Sequence, residues 1–238
     1  MREGMEKRKK RRKRSEEEEN VDRIADNERI VGQWVPKTAV GKKVKDGEIT
    51  SLGELFDKNH IMMEPEIFDC LVATPLEKLV DFKKTTRVTR QGRNFSFRAT
   101  VLVGDGQEFI GVGIGKDKER FPAIRKAARN AKLDLIRVRK GAGSWESAAS
   151  TGASVPFKVT GKSASVRVDL LPAPEGTGLV VGEAIKDVMR FCGIKDVWSK
   201  TSGNTRSKLD FVKASVGALS NTTKMRISKD IETKFRGS

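Results

Sequence analysis

Apolar positions along this chain recur with two periods, and each marks a different kind of element. From Phe95 to Val103 they alternate, with Phe95, Phe97, Ala99, Val101 and Val103 set against Ser96, Arg98, Thr100 and Leu102. A period of two sends successive side chains to opposite faces, so this run predicts a half-exposed strand. Residues 84–90 mix Thr and Val with bases and predict a strand before it, with Gln91-Gly92-Arg93-Asn94 as the turn between them. Gly104-Asp105-Gly106 is a second turn signal. In the strand that follows, Ile110, Val112 and Ile114 line one face and Gly111, Gly113 and Gly115 the other. Alternate glycines cost chain entropy and leave a face without side chains, open to a neighbouring element or to a ligand backbone.

The period then lengthens. Ile124, Ala127, Ala128, Ala131, Leu135 and Val138 form a helical stripe beginning at Pro122, a residue suited to the first helical position. Upstream, Ile49, Leu52, Leu55 and Phe56 recur at helical spacing after Ser51, a candidate cap, and Ile67, Phe68 and Leu71 follow Ile61, Met62 and Met63. One or two short helices are expected there. Downstream, Val166, Val168 and Leu170 alternate as a strand. Ala184, Ile185, Val188, Met189 and Cys192 form a helix ended by Gly193, residues 196–200 read as a strand, and Leu209, Val212, Val216 and Leu219 form a last helix with Ser207 as N-cap. Strands followed by helices in separate runs give an α+β class. The expected organisation is a tail over 1–32, an extension over 33–75, a β-β-β-α module over 76–140, a Gly/Ala/Ser linker over 141–154, a β-α-β-α module over 155–225 and a second tail over 226–238.

Charge sharpens this division. The 238 residues carry 48 Lys and Arg against 32 Asp and Glu, a net of +16, and no Tyr. The excess is local: residues 1–14 carry +7, residues 15–81 carry −8, residues 82–140 carry +11 and residues 141–238 carry +6. Charge concentrated in a tail and one folded stretch points to a polyanion rather than to general solubility. No apolar run approaches the ~20 residues of a membrane span. Two distant cysteines, Cys70 and Cys192, build no disulfide scaffold, and with a charged N-terminus they fit a cytoplasmic, reducing setting. The run KRKKRRKR suits a phosphate-binding arm, a nuclear address or a solvated tail, and the residues do not separate these.

Candidate chemistry clusters in the basic module. Lys118, Arg120, Arg125, Lys126 and Arg129 crowd the start of the predicted helix. Cations there oppose the helix dipole by roughly 0.3–1 kcal/mol each, and a bound phosphate reverses the sign. Arg93-Asn94-Phe95-Ser96-Phe97 partly matches the aromatic strand of an RNA-recognition motif, but both Phe sit on the apolar side, which favours core packing. Gly176-Thr177-Gly178 with Gly182 is one residue too long for a dinucleotide fingerprint, which disfavours a cofactor. His60 has no partner in ligand spacing, so neither a metal nor a catalytic role is expected. Cys192 reads as core. The loop Thr201 to Arg206 suits either phosphate contact or an ordinary turn.

Three segments in order carry a family resemblance: TRQGRNFSFRATVLVGDGQEFIGVGIGK, FPAIRKAARNAK and KVTGKSASVRVDLLPAPEGTGLVVGEAI. Over about residues 76–225 the chain resembles the universal S-five family of small-subunit ribosomal proteins. The extension WVPKTAVGKKVKDGEITSLGELF resembles the archaeal and eukaryotic branch. The resemblance implies a double-stranded-RNA-binding-like first module and a second module with a β-α-β fold shared with certain small-molecule kinases. It implies a hairpin, here Arg87 to Arg93, that reaches ribosomal RNA near the decoding region. It also implies contacts with the fourth and eighth small-subunit proteins, a place near the messenger RNA entrance, and support of translational accuracy. Some archaeal relatives carry zinc-spaced cysteines and a histidine in the linker, whereas GAGSWESAASTGAS has none, so no metal is expected.

The expected function is therefore a structural RNA-binding protein of the small ribosomal subunit, not an enzyme, with no cofactor. The expected RNA-binding residues are Arg87, Arg90, Gln91, Gly92, Arg93, Lys116, Lys118, Arg120, Arg125, Lys126, Arg129, Lys140, Asn204 and Arg206, with backbone contacts from the alternate glycines in second place. Two alternatives compete. One is a nucleotide-dependent small-molecule kinase, resting on the 176–182 glycine loop. The other is a free regulator of double-stranded RNA.

Overall fold

The computed structural model describes residues 32, 34–72, 74–141 and 152–224. The basic and acidic runs of the first tail, the linker from 142 to 151 and the second tail lie outside the described residues. Two compact units divide the chain, one ending at Pro75 and one beginning at Leu76.

In the first unit, short helices run over α1 (Ala39–Lys45), α2 (Leu52–Asp57) and α3 (Glu66–Leu71). Ser51 caps α2 as its sequence predicts: its Oγ accepts the Glu54 amide at 3.3 Å, and Glu54 accepts the Thr50 amide in return. Leu55, Ile67 and Phe68 are fully buried. The unit is tied together by Glu64. Its carboxylate accepts the Trp34 indole N–H at 2.8 Å and the backbone amides of Lys37 and Thr38 at 2.9 and 2.6 Å. Burial pushes the Glu64 carboxyl up, but the hydrogen bonds from Thr38, Lys37 and Trp34 outweigh it and hold the group below its ordinary value.

The second unit opens with an antiparallel sheet of order β1-β2-β3-β4, formed by Leu76–Thr89, Gly92–Gly104, Phe109–Asp117 and Leu135–Arg137. The turn is tighter than the sequence predicts. Thr89 pairs with Gly92, so Arg90 and Gln91 form the tip, and Gly92 follows at φ +122°, a conformation that side chains disfavour. Helix α4 (Arg120–Leu133) starts two residues before Pro122. The amides of a helix's first turn lack intrahelical acceptors, so proline fits at its third residue as well. Leu135 belongs to β4 rather than to the helix, and the buried stripe is Ala123, Ala127 and Ala131. That stripe lies on the alternate glycines. A Cβ added to Gly111, Gly113 or Gly115 would stand 2.1, 2.1 or 2.2 Å from the carbonyl oxygens of Ala131, Ala127 and Ala123. The glycines serve helix packing, and their expected role in RNA contact is corrected: α4 covers that face.

The second sheet has the order β5-β6-β8-β7, with β5 (Val159–Ser163), β6 (Val166–Pro172), β7 (Leu179–Val180) and β8 (Val197–Ser202). Strand β5 and the short β7 extend the predicted β-α-β-α core, and β7 runs parallel to β8. Helix α5 (Glu183–Phe191) ends in the expected glycine cap: Gly193 sits at φ +68°, its amide donates to Arg190 and the Ile194 amide to Met189. Helix α6 (Lys208–Ser220) packs on β5 with the same glycine-on-alanine device, since a Cβ on Gly161 would lie 2.0 Å from the Ala214 carbonyl. Ser207 occupies the N-cap position, but its hydroxyl donates to Asp210 at 2.5 Å instead of accepting an amide.

One core joins the two sheets. Register places Thr100, Leu102, Ile110 and Val112 on the face of the first sheet opposite α4. Of these, Leu102, Ile110 and Val112 cluster with Val168, Leu170, Ile185, Met189, Val212 and Leu219. The alternating run predicted to be half exposed is therefore buried on both faces from Ala99 to Val103. The reason is tertiary: α4 covers one face, and α5 and α6 cover the other.

Candidate nucleic-acid interface

Strand β3 stops with Asp117 opposite Phe97, whereas β1 and β2 continue to Thr89 and Gly92. The residues beyond form a two-stranded arm about 20 Å long at ~3.3 Å per residue. Thr85 and Ser96 bond across it, Oγ1 to Oγ at 2.8 Å.

Register assigns each cation to a face. Arg87 pairs with Asn94, and Lys83, Arg98 and Lys116 are direct neighbours across β1, β2 and β3, all on the face opposite α4. Like charges side by side in a sheet repel. Among the described residues only Lys83 of the three makes an ion pair, with Asp81 at 3.5 Å, and the buried Arg98 Nε has no hydrogen-bond partner there. Lys83 and Arg98 were missed in the sequence, because only the pairing register brings them beside Lys116. Arg93 lies on the other face with Lys84, and Arg90 and Gln91 stand at the tip beside Gly92.

At the arm's root, the Arg120 guanidinium lies 5.6 Å from the Phe97 ring centroid, and Lys118 is exposed just before the helix. Arg125, Lys126 and Arg129 are exposed on the side of α4 away from the sheet. They lie in its second and third turns, too far along for the helix dipole, so that argument holds for Lys118 and Arg120 alone. None of Arg87, Arg90, Arg93, Lys116, Lys118, Arg120, Arg125, Lys126 or Arg129 makes an ion pair with another described residue.

The other expected residues lie apart from this surface. Lys140 lines an open cavity of about 650 Å³ with Gly176, Gly178, Lys195 and Asp196. Asn204 and Arg206 are exposed in the turn between β8 and α6. The glycine loop beside the cavity uses its amides internally: Thr177 donates to the Pro174 carbonyl and Gly178 to Asp196 at 2.6 Å. A phosphate cradle needs such amides free.

Comparison with known proteins decides the family. The model of the ribosomal protein S5 N-terminal domain matches residues 76–139, and that of the ribosomal protein S5 C-terminal domain matches residues 161–234. This chain belongs to the ribosomal protein S5 family. A small ribosomal subunit protein uS5 from Hyperthermus butylicus is 51% identical over 193 residues, covering 81% of this chain and 91% of the relative. Relatives of the same name from Methanocaldococcus jannaschii and Saccharolobus solfataricus are 47% and 44% identical, covering 79% and 84% of this chain and 87% and 94% of their own lengths. In S5 terms, the arm and the α4 surface belong to the N-terminal domain, and the cavity beside Lys140 borders the C-terminal one.

Proposed function

We propose that this chain is a structural, non-catalytic constituent of the small ribosomal subunit and that it grips ribosomal RNA with the arm and its root. The observation that carries this reading is the row Lys83, Arg98 and Lys116, aligned across three strands with one ion pair, Lys83 to Asp81, among the described residues. Folding alone gives no reason to align three cations, whereas phosphate oxygens turn their repulsion into attraction. Arg87, Arg90 and Arg93 extend that grip along the arm, and Lys118, Arg120, Arg125, Lys126 and Arg129 extend it across α4.

Contact of this kind fixes the geometry of folded RNA rather than reading base edges. On this reading the arm lies near the decoding region and the messenger RNA entrance, as the resemblance to the family implies. The fourth and eighth small-subunit proteins are the neighbours, and translational accuracy is the function supported. The test is a salt titration of binding to small-subunit ribosomal RNA. Replacing Arg90 and Arg93 with Ala is expected to weaken binding and to reduce the slope of log K against log salt by about 2, close to one per lost phosphate contact. An unchanged slope would remove the arm from the interface.

A further inference from the structure

The side of the arm that faces α4 carries more than charge. Phe95 lies on it, paired with Thr86. It is 46% exposed, so the core role its alternation suggests is not the one it has. Its neighbour Phe97 is engaged already, stacked on Phe82 with ring centroids 5.6 Å apart and an interplanar angle of 12°, and approached by Arg120. Phe95 has no ring partner among the described residues. The Lys84 ammonium sits 3.7 Å from its centroid, and Arg93 is two residues away on the same face of β2.

A half-open aromatic ring with an ammonium over it and a guanidinium two residues along the same face is a poor surface for folding and an unusual one for a protein partner, since neither cation makes an ion pair among the described residues. It does match the chemistry of an unpaired nucleotide: a flat base for the ring, and a phosphate on either side for Lys84 and Arg93. Paired bases are stacked within their helix and present no free face. We propose that Phe95 is a stacking platform for one unpaired base of the RNA, such as a bulged or loop nucleotide, with Lys84 and Arg93 holding its flanking phosphates. This rests on the RNA-binding reading above and adds to it a preference for RNA that offers an unpaired base.

The test uses the full chain and two RNA hairpins, one fully paired and one with a single bulged 2-aminopurine. The parent protein is expected to quench the 2-aminopurine on binding and to prefer the bulged hairpin. Phe95→Leu is expected to lose affinity for the bulged hairpin by about five- to 150-fold, the range for one stacked base. Its affinity for the paired hairpin and its salt slope should stay as in the parent, and Phe95→Trp should restore the preference. If Phe95→Leu discriminates the two hairpins as the parent does, the platform is wrong while the phosphate grip stands. If the parent binds neither hairpin, both readings fall. If a peptide or protein partner, but no RNA, depends on Phe95, the occupant is wrong.

Discussion

Glu64 shows how much can rest on one side chain. It satisfies an indole N–H and two backbone amides that otherwise lie unpaired. Its folded carboxyl titrates below the ordinary value of 4.5, so the unfolded chain binds this proton more readily. The stability from this network is therefore complete above that value and is lost as pH falls through the lower folded value. The protection factors of the Lys37 and Thr38 amides in the whole chain, taken against the intrinsic exchange rate at each pH, should fall on acidification, and Glu64→Gln should remove that dependence at a cost on the order of 2 kcal/mol. None of this is legible in the sequence, because Trp34 and Glu64 are thirty residues apart and no spacing rule links them. Cys192 is the opposite case. Its place in an apolar helical stripe predicts a core residue, and burial, aided by the charge of Asp105, pushes its thiol well above the ordinary range.

At the scale of elements, the decisive fit is β3 against α4. Glycine every second residue meets alanine every fourth, and backbone touches backbone. Gly113→Ala would drive a methyl group to 2.1 Å from the Ala127 carbonyl, with no side chain able to move aside. Overpacking against rigid backbone is expected to cost about 3 kcal/mol or more, read as a lower urea midpoint at unchanged slope. The sequence announces this close approach through the glycine period but not its partner, since an empty face admits a helix and a ligand equally. It also announces the arm, while misplacing its turn, because Gly92 looks like the centre of a turn and instead follows it. The row of Lys83, Arg98 and Lys116 is invisible until three strands are in register.

At the scale of the molecule, the two S5 domains share a core. Leu102, Ile110 and Val112 come from the first, and the residues they meet on α5, α6 and the second sheet come from the other. Arg139 adds a backbone N–H donated to Thr222 Oγ1 at 3.0 Å, and Lys78 an ion pair with Asp187 at 2.7 Å. A fragment ending at Gly141 would expose that apolar face to water. It is expected to bind anilinonaphthalene sulfonate and to show collapsed amide dispersion, whereas the intact chain does neither. Two compact sequence runs with a glycine- and serine-rich stretch between them look separable, and the strand alternation looks half wet. Both impressions share one cause: Leu102 and Thr100 occupy the predicted polar set, and their cover lies in a distant part of the chain. It follows that the pair, rather than either half, is the heritable part. A half grafted onto another chain keeps its shape only where an apolar surface of matching contour is supplied to cover Leu102, Ile110 and Val112.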